Sequence, residues 1–383
     1  MKIAHVVFDL SVGGMERLIV DLAKRQQARG DVVEVFCIAA EAGLLAAELT
    51  RVGIGVTALG KRPGADLPLV WRMRARFRAS GFDVIHTHNN VASLYGGLAG
   101  RLAGVPMVLN TRHGMADMPY DHRREQIYRA SVLFLHRVAF VCHRALDFSV
   151  GKGLVPRRKA VVVYNGVDMA PYQVLDADGY ADVRRELGVS PTTRLVGTVC
   201  RLTAAKDLPS MVRMARQARA HRDDVVFVIV GAGEEEGALR AMVRDLSLEA
   251  VVRLPGRRSD VARWLAAFDV FVMTSLSEGM SLALIEAAAA ARPIVTTDVG
   301  GSADVVLDGK NGFVVPVGEP TRFLERVEYL LDHPAEAAAM GSAGRERALR
   351  EFDIEATCAG YAALYEKRDA RSEKRVVAER SHG

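Results

Sequence analysis

Short, almost continuously apolar runs alternate with longer stretches whose apolar positions recur every three or four residues, along most of the chain. The runs rich in β-branched residues fall at 3–8, 32–39, 83–87, 107–110 and 161–164, and again at 195–199, 225–230, 251–254, 270–274, 294–297 and 312–315. Runs without polar alternation predict strands buried on both faces. The amphipathic segments between them, such as 14–29 and 208–221, predict helices. Strand–helix alternation of this kind predicts parallel sheets covered by helices. The rhythm breaks at 168–191, a polar, Asp-rich stretch containing Gly and Pro, which separates two series of similar size and marks a domain junction. A length of 383 residues agrees with two domains rather than one. Near the end, 354–367 carries Tyr361, Leu364 and Tyr365 at helical spacing and is expected to dock, whereas the charged tail 369–383 is expected to fray.

Composition narrows the class. Half of the residues are hydrophobic and a quarter charged, a globular balance with material for two cores. No apolar run reaches the roughly 18 residues of a membrane-spanning helix. Residues 1–8 lead straight into a Gly-rich turn without the apolar core of a signal peptide, so a cytoplasmic location is expected. The four cysteines, Cys37, Cys142, Cys200 and Cys358, are scattered without CxxC spacing, which indicates neither a zinc site nor a disulfide framework. The net charge of +5 permits an anionic ligand or an anionic membrane surface without requiring either.

Four segments at the ends of expected strands carry candidate chemistry. Gly13-Gly14-Met15-Glu16 follows the first strand and opens a helix, whose N-terminal N–H groups suit a phosphate; a tight strand-to-helix turn explains the glycines equally well. The loop 197–207 carries Arg201 and Lys206 beyond a parallel strand, where two cations can neutralise a diphosphate or simply be solvated. Ser277-Glu278-Gly279-Met280-Ser281-Leu282 leads into an Ala-rich helix holding Glu286. Carboxylates accept hydrogen bonds from sugar hydroxyls, so one glutamate can hold a hexose and the other a ribose. The bland reading is a capping acid plus a surface acid. Val299-Gly300-Gly301, followed by Asp304, is a fourth strand-to-helix turn.

In this order and spacing, together with Asp83-Val84-Ile85-His86-Thr87-His88, Thr111-Arg112-His113-Gly114 and Tyr164-Asn165-Gly166-Val167-Asp168, these segments span roughly residues 1–365. The chain resembles glycosyltransferase family 4, also called glycosyltransferase group 1. The resemblance implies the α/β GT-B fold: two Rossmann-like domains facing each other across a cleft that holds the donor. The expected division is 1–170 on the acceptor side, a linker at 171–190, a nucleotide-sugar domain at 191–355, and 356–383 packing back toward the first domain. The implied activity is a metal-independent, retaining hexosyltransferase. It would move a sugar from a nucleoside-diphosphate sugar, UDP in preference to GDP, to an acceptor hydroxyl in envelope or exopolysaccharide biosynthesis.

The resemblance also implies site roles. Glu286 binds the ribose, and Glu278 with the backbone of Gly279, Met280, Ser281 and Leu282 holds the sugar. Arg201 and Lys206 stabilise the leaving diphosphate, Gly14 contacts it from the first domain, and His113 lies near the reacting centre. Gly233 and Arg257 flank the base. Asp304 departs from a pattern that more often has Glu at that position. No cofactor or metal is expected beyond the nucleotide sugar. Asp176-Ala177-Asp178 matches a metal-binding DxD pattern of a different architecture, but in the interdomain stretch it reads as a solvated loop. His86 and His88 share one face of a strand end without a third ligand at suggestive spacing, and satisfied structural histidines are expected. Competing readings are a nucleotide-sugar 2-epimerase and a catalytically silent scaffold that binds nucleotide sugars. Expected partners are the nucleotide sugar and a glycan or lipid-linked glycan acceptor, with no nucleic acid. Val70, Met73 and Phe77 share a helical face flanked by Arg72, Arg74, Arg76 and Arg78, and His122, Arg123, Arg124 and Arg129 add charge in the same domain. This is either a helix packed on the first sheet or a basic face for anionic lipid at the inner side of the cytoplasmic membrane.

Overall fold

The first apolar run forms β1 (Lys2–Val7), every residue of which beyond Lys2 is buried. The computed structural model describes residues 1–11, 13–114, 121–173 and 177–366, with the side chains of 177–181 excepted. The chain divides into two compact units, one from Met1 to Asn165 with the segment from Ile354 onward, the other Gly166–Asp353. In the first unit, β1 is joined by β2 (Val32–Cys37), β3 (Gly55–Ala58), β4 (Val84–His88), β5 (Met107–Arg112), β6 (Arg137–Phe140) and β7 (Ala160–Val162). Their order is β3-β2-β1-β4-β5-β6-β7, with all pairings parallel. The β1–β4 register sets His5 beside His86. β3 and β6 were not expected. β3 is a short, half-exposed edge strand without an apolar run, whereas β6 opens on Arg137 and then enters a buried apolar run, Val138 to Cys142, that has the same character as the expected strands.

The helix Ile354–Glu366 packs on Gly14–Ala28 and buries Tyr361, Leu364 and Tyr365, as its spacing predicted. The helix Leu67–Ser80 buries Leu69, Val70, Met73 and Phe77, which is the packed reading of that segment. Three of its arginines are engaged locally: Arg72 and Arg74 donate to the carbonyls of Leu59 and Leu102, and Arg76 lies 3.6 Å from Glu34.

The second unit holds β8 (Arg194–Val199), β9 (Val225–Val230), β10 (Val252–Gly256), β11 (Val270–Met273), β12 (Ile294–Thr297) and β13 (Gly312–Val315), all parallel in the order β10-β9-β8-β11-β12-β13. Ala177–Leu187, within the expected linker, forms a helix of this unit that packs on Val261–Ala267, and Arg184 reaches Asp269 at 3.1 Å. Val167 donates to the Phe352 carbonyl, tying the segments that enter and leave the unit. Each sheet reverses direction once, between β1 and β4 and between β8 and β11, and the loops beyond the carboxyl ends of such strands are where open α/β sheets bind ligands. All four cysteines are free thiols. No helix among the described residues is long and apolar enough to cross a membrane. Asp176 and the tail 369–383 lie outside the described residues, as does the side chain of Asp178.

Candidate active site

In the second unit the reversal point is built from the loops after β8 and β11. The 3-10 turn Ala204–Lys206 ends at Asp207, whose φ of 44° places a non-glycine residue in the left-handed region. Strain of this kind persists where the surroundings over-determine it. Here Thr274 Oγ1 donates to the carbonyls of Lys206 (2.8 Å) and Asp207 (3.2 Å), and the Leu276 amide donates to Ala205 at 2.8 Å. The loop so clamped delivers Lys206 Nζ to Glu278 Oε1 at 2.5 Å, and Ser275 Oγ donates to the same oxygen at 2.6 Å. Both charged side chains are largely covered, so the ion pair is held in one geometry rather than sampled at the surface. The turn at Gly300 lies underneath. Its φ is 48°, and a Cβ there would stand 2.2 Å from the Glu278 carbonyl oxygen. Only glycine fits both demands, and the Gly301 amide then donates to the Gly279 carbonyl at 2.6 Å. The Glu278–Gly279 backbone is thereby fixed from both sides.

The helix that follows starts at Leu282 with Ser281 as its cap, so Glu278 precedes the helix rather than sitting at its mouth. Glu286 lies in that helix, half-buried. Next to this cluster the Gly231 amide donates to Gly256 and the Leu202 amide to Ala232, which gathers the ends of β8, β9 and β10 around Gly233 and Arg257. Arg201 is exposed and reaches Glu234 only at 4.0 Å.

In the first unit the reversal point is lined by histidines. His5 Nε2 lies 2.7 Å from Gln26 Oε1, His5 Nδ1 is 3.0 Å from His88 Nε2, and His88 Nδ1 is 2.9 Å from His113 Nε2. A second path runs from Gln26 Nε2 to the Tyr365 hydroxyl (3.2 Å), from there to His86 Nδ1 (2.8 Å), and from His86 Nε2 to Thr111 Oγ1 (2.7 Å). Burial pushes all four imidazoles toward the neutral form: His5 falls to about 4 and His113 to about 3, while His86 and His88, each beside other histidines, fall well below the ordinary range. His113 keeps some exposure as a residue, but its Nδ1 is shut off from solvent and has no hydrogen-bond partner among the described residues. Its backbone amide is held at 3.0 Å by Asn89 Oδ1, from a residue at φ 61°.

A pocket of about 590 Å³ adjoins this cluster, with Phe8, Met15, His88, Asn89, Tyr95 and Arg112 in its wall. Arg112 forms a buried bidentate pair with Glu125 and stacks over Tyr128, 4.7 Å from the ring centre. A third histidine therefore does accompany His86 and His88. It is His5, 81 positions earlier, brought in by strand pairing. The ligand nitrogens of the three lie within 4.8 Å of one another, yet all six ring nitrogens are engaged in the hydrogen bonds above. An ion bound there would have to displace those bonds.

Comparisons with known proteins place this geometry in a family. A family model described as Glycosyltransferase Family 4 matches residues 12–170, and one described as Glycosyl transferases group 1 matches 193–333, together well over half of the chain. The chain belongs to glycosyltransferase family 4. The transferase is 29% identical to a D-inositol 3-phosphate glycosyltransferase of Pseudarthrobacter chlorophenolicus over 88% of this chain and 86% of that one. It is 28% identical to the Escherichia coli UDP-Gal:alpha-D-GlcNAc-diphosphoundecaprenol alpha-1,3-galactosyltransferase over 66% and 67%. Anabaena HepE, solved with UDP and with UDP-glucose, superposes with a TM-score of 0.84 at 23% identity, covering 95% of this chain and 99% of that one. The fold is GT-B, each domain a parallel sheet flanked by helices, and the chain is a nucleotide-sugar-dependent glycosyltransferase.

Of the residues singled out in the transferase sequence, Lys206, Glu278, Gly279 and the Gly300 turn meet in one cluster. His113 and Gly14 belong to the first unit. Gly14 opens its helix behind Gly13, and a Cβ on Gly13 would stand 2.3 Å from the Glu16 carboxylate, which folds back over that first turn. An anion binding there has to move that carboxylate. Sequence reasoning missed His5, Gln26 and Asn89. The available signal for His5 was a polar residue inside an otherwise apolar run; for Gln26 it was a polar residue in line with Ile19, Leu22 and Ala23 on the apolar face of its helix; Asn89 merely follows the His-x-His segment.

Proposed function

We propose that the transferase is a retaining enzyme that passes a sugar from a UDP-sugar to an acceptor hydroxyl without a metal, in envelope or exopolysaccharide biosynthesis. The second domain takes the nucleotide sugar and the first takes the acceptor. The observation that carries this reading is the Lys206–Glu278–Ser275 cluster at the reversal point of the second sheet. It sets a cation for a diphosphate directly beside a carboxylate for sugar hydroxyls. Two of the three protons on Lys206 Nζ are left for phosphate oxygens, and Glu278 Oε2 is left for the sugar. Glu286 holds the ribose, the backbone from Gly279 to Leu282 lines the sugar, and Gly233 and Arg257 flank the base. Gly14 meets the diphosphate from the first domain, and Arg201 adds a second, more mobile cation.

In the transfer step the bond from C1 to the diphosphate oxygen breaks. A bond from C1 to the acceptor oxygen forms on the same face, and the acceptor proton passes to the departing phosphate oxygen. Charge then builds on the diphosphate, where Lys206 and Arg201 stabilise it. His113, neutral, contributes a hydrogen bond at the reacting centre and no charge. The 590 Å³ pocket is the candidate acceptor site, consistent with the lipid-diphosphate acceptor named for the Escherichia coli relative.

The test is a thermal-shift panel of UDP, GDP, ADP and their sugars, since a ligand that binds only the folded state raises Tm. It is followed by transfer to polyprenyl-diphosphate-linked glycans with and without EDTA, and by NMR of the anomeric centre formed. Stabilisation by UDP, EDTA-insensitive transfer and retained configuration are expected. Inversion at C1, or stabilisation by GDP alone, overturns the corresponding part of the reading.

A further inference from the structure

The histidine cluster carries more than enclosure. We propose that Gln26 is a positioning residue whose side-chain amide fixes the direction of the hydrogen bonds through His5 and His88, so that His113 keeps a bare Nδ1 lone pair, which a hydroxyl of the bound sugar reaches by displacing the atoms that cover it in this structure. The placing of His113 beside the sugar rests on the function proposed above; the direction of the chain does not.

The direction follows from one amide and a series of forced choices. Gln26 sits between His5 Nε2 at 2.7 Å and the Tyr365 hydroxyl at 3.2 Å. The amide turns Oε1 to His5 Nε2 and Nε2 to the Tyr365 hydroxyl, and an amide nitrogen can only donate, so Gln26 donates to Tyr365 through Nε2. Its oxygen must then accept the proton of His5 Nε2. A neutral imidazole has one donor and one acceptor nitrogen. With its proton on Nε2, His5 can only accept at Nδ1, and the proton in that 3.0 Å contact belongs to His88 Nε2. The same logic makes His88 Nδ1 the acceptor of the His113 Nε2 proton at 2.9 Å. His113 is left with an unprotonated Nδ1, the nitrogen that is closed to solvent and has no partner among the described residues.

The other branch agrees. Tyr365, accepting from Gln26, donates to His86 Nδ1; His86 Nε2 donates to Thr111 Oγ1, which in turn donates to the Tyr361 hydroxyl at 3.0 Å. All four rings thus carry their proton on Nε2, and turning the Gln26 amide over would reverse every one. Low-dielectric burial supports the argument by keeping each ring neutral, since a cationic imidazole has two donors and would erase the order. The consequence at the reacting centre is chemical. A hydroxyl that donates to Nδ1 is held in one orientation with its own lone pairs free, whereas an Nδ1 proton would occupy one of them.

The test is a long-range proton–nitrogen NMR correlation on the full chain labelled with 15N-histidine, which reads the protonated nitrogen of each ring; His113→Asn assigns the His113 signals. In the wild type His5, His86, His88 and His113 are all expected as the Nε2-protonated tautomer. In Gln26→Met, which keeps the volume and removes both polar atoms, His113 is expected to fall to a mixture of tautomers, about half of each. Turnover then falls in proportion, about twofold, because only the competent fraction reacts. A single Nδ1-protonated ring among the four in the wild type overturns the proposal, as does a Gln26→Met protein whose His113 remains wholly Nε2-protonated. Should Gln26→Met fail to fold, the four wild-type tautomers decide alone. Absence of sugar transfer by the wild type counts against the transferase reading and leaves the tautomer result standing.

Discussion

Acidification should unfold the first domain selectively, and a lower bound on the effect can be worked from one side chain. His5, His86 and His88 are at most 2% exposed, and burial holds each below the ordinary histidine value of 6.5, His5 at about 4. In the unfolded chain they take up protons near pH 6.5; in the folded domain each does so only at lower pH. The stability His5 permits is therefore complete above about pH 7.5 and is lost as the pH falls toward 4. Between pH 7.5 and 5.5 His5 alone costs about 1.3 kcal/mol, and His86 and His88 act in the same direction. That is an appreciable share of the 5–15 kcal/mol that typically separates folded from unfolded domains. Among the described residues the second domain buries no histidine, so it provides the internal control.

Native-state hydrogen exchange, corrected for the intrinsic rate at each pH, resolves the two domains. Amides of β1 and β4 should lose more than the about 1.3 kcal/mol of protection that His5 alone accounts for between these pH values, while those of β8 and β11 lose much less. Replacing one of these rings by Gln should make the pH slope shallower, whatever it does to absolute stability. Equal losses in both domains, or a slope untouched by the substitution, would refute the claim that these rings fold neutral.

Three further outcomes follow from the site. If, as proposed, the cation acts chiefly on charge that develops in the transfer step, Lys206→Ala should lower kcat by about 10²–10³ with a smaller change in KM; exposed Arg201→Ala should cost less, about tenfold, and equal changes in kcat and KM would assign both to ground-state binding. Gly300→Ala forces a side chain into the left-handed region and against the Glu278 carbonyl, at a cost of at least about 1–2 kcal/mol and a fall in Tm of about 2–8 °C by calorimetry, with donor affinity reduced as Glu278 shifts; an unchanged donor affinity would separate the turn from the site. The helix Leu67–Ser80 exposes Leu67 and Trp71 beside its arginines, so sedimentation with anionic vesicles at low salt should depend on Trp71 and fade as salt is added; no pelleting at low salt removes the lipid-contact reading.

The strand–helix rhythm was legible because buried parallel strands must be apolar throughout; β3 escapes that demand as a half-exposed edge strand, whereas β6, apolar and buried from Val138 onward, meets it and was legible on the same ground. The second-domain cluster was legible for a related reason. Lys206, Glu278 and Gly300 lie at the ends of strands that align in parallel, so each motif could be located from its own strand without knowing the pairings. The first-domain cluster depends on the pairings themselves. His5 reads as one polar residue in β1, and only the β1–β4 register sets it against His86, while Gln26 reads as a lone polar residue on the apolar stripe of Ile19, Leu22 and Ala23, whose partner Tyr365 comes from the far end of the chain. Local pattern carries neither fact.

Under the function proposed above, the two clusters would solve different electrostatic problems. A departing diphosphate gains charge, and a cation answers it best when it is already in place and already desolvated. The Lys206–Glu278 contact meets that condition without a ligand, since the carboxylate holds the ammonium where a diphosphate would otherwise have to recruit it. A sugar hydroxyl gains no net charge. What matters for it is which partner donates, and a buried chain of neutral rings can fix that direction while adding no net charge beside the diphosphate. Charging any one of those rings would abolish the direction and place a bare cation in an apolar interior, so the burial that depresses their basicity is the same feature that lets them act as an orienting device.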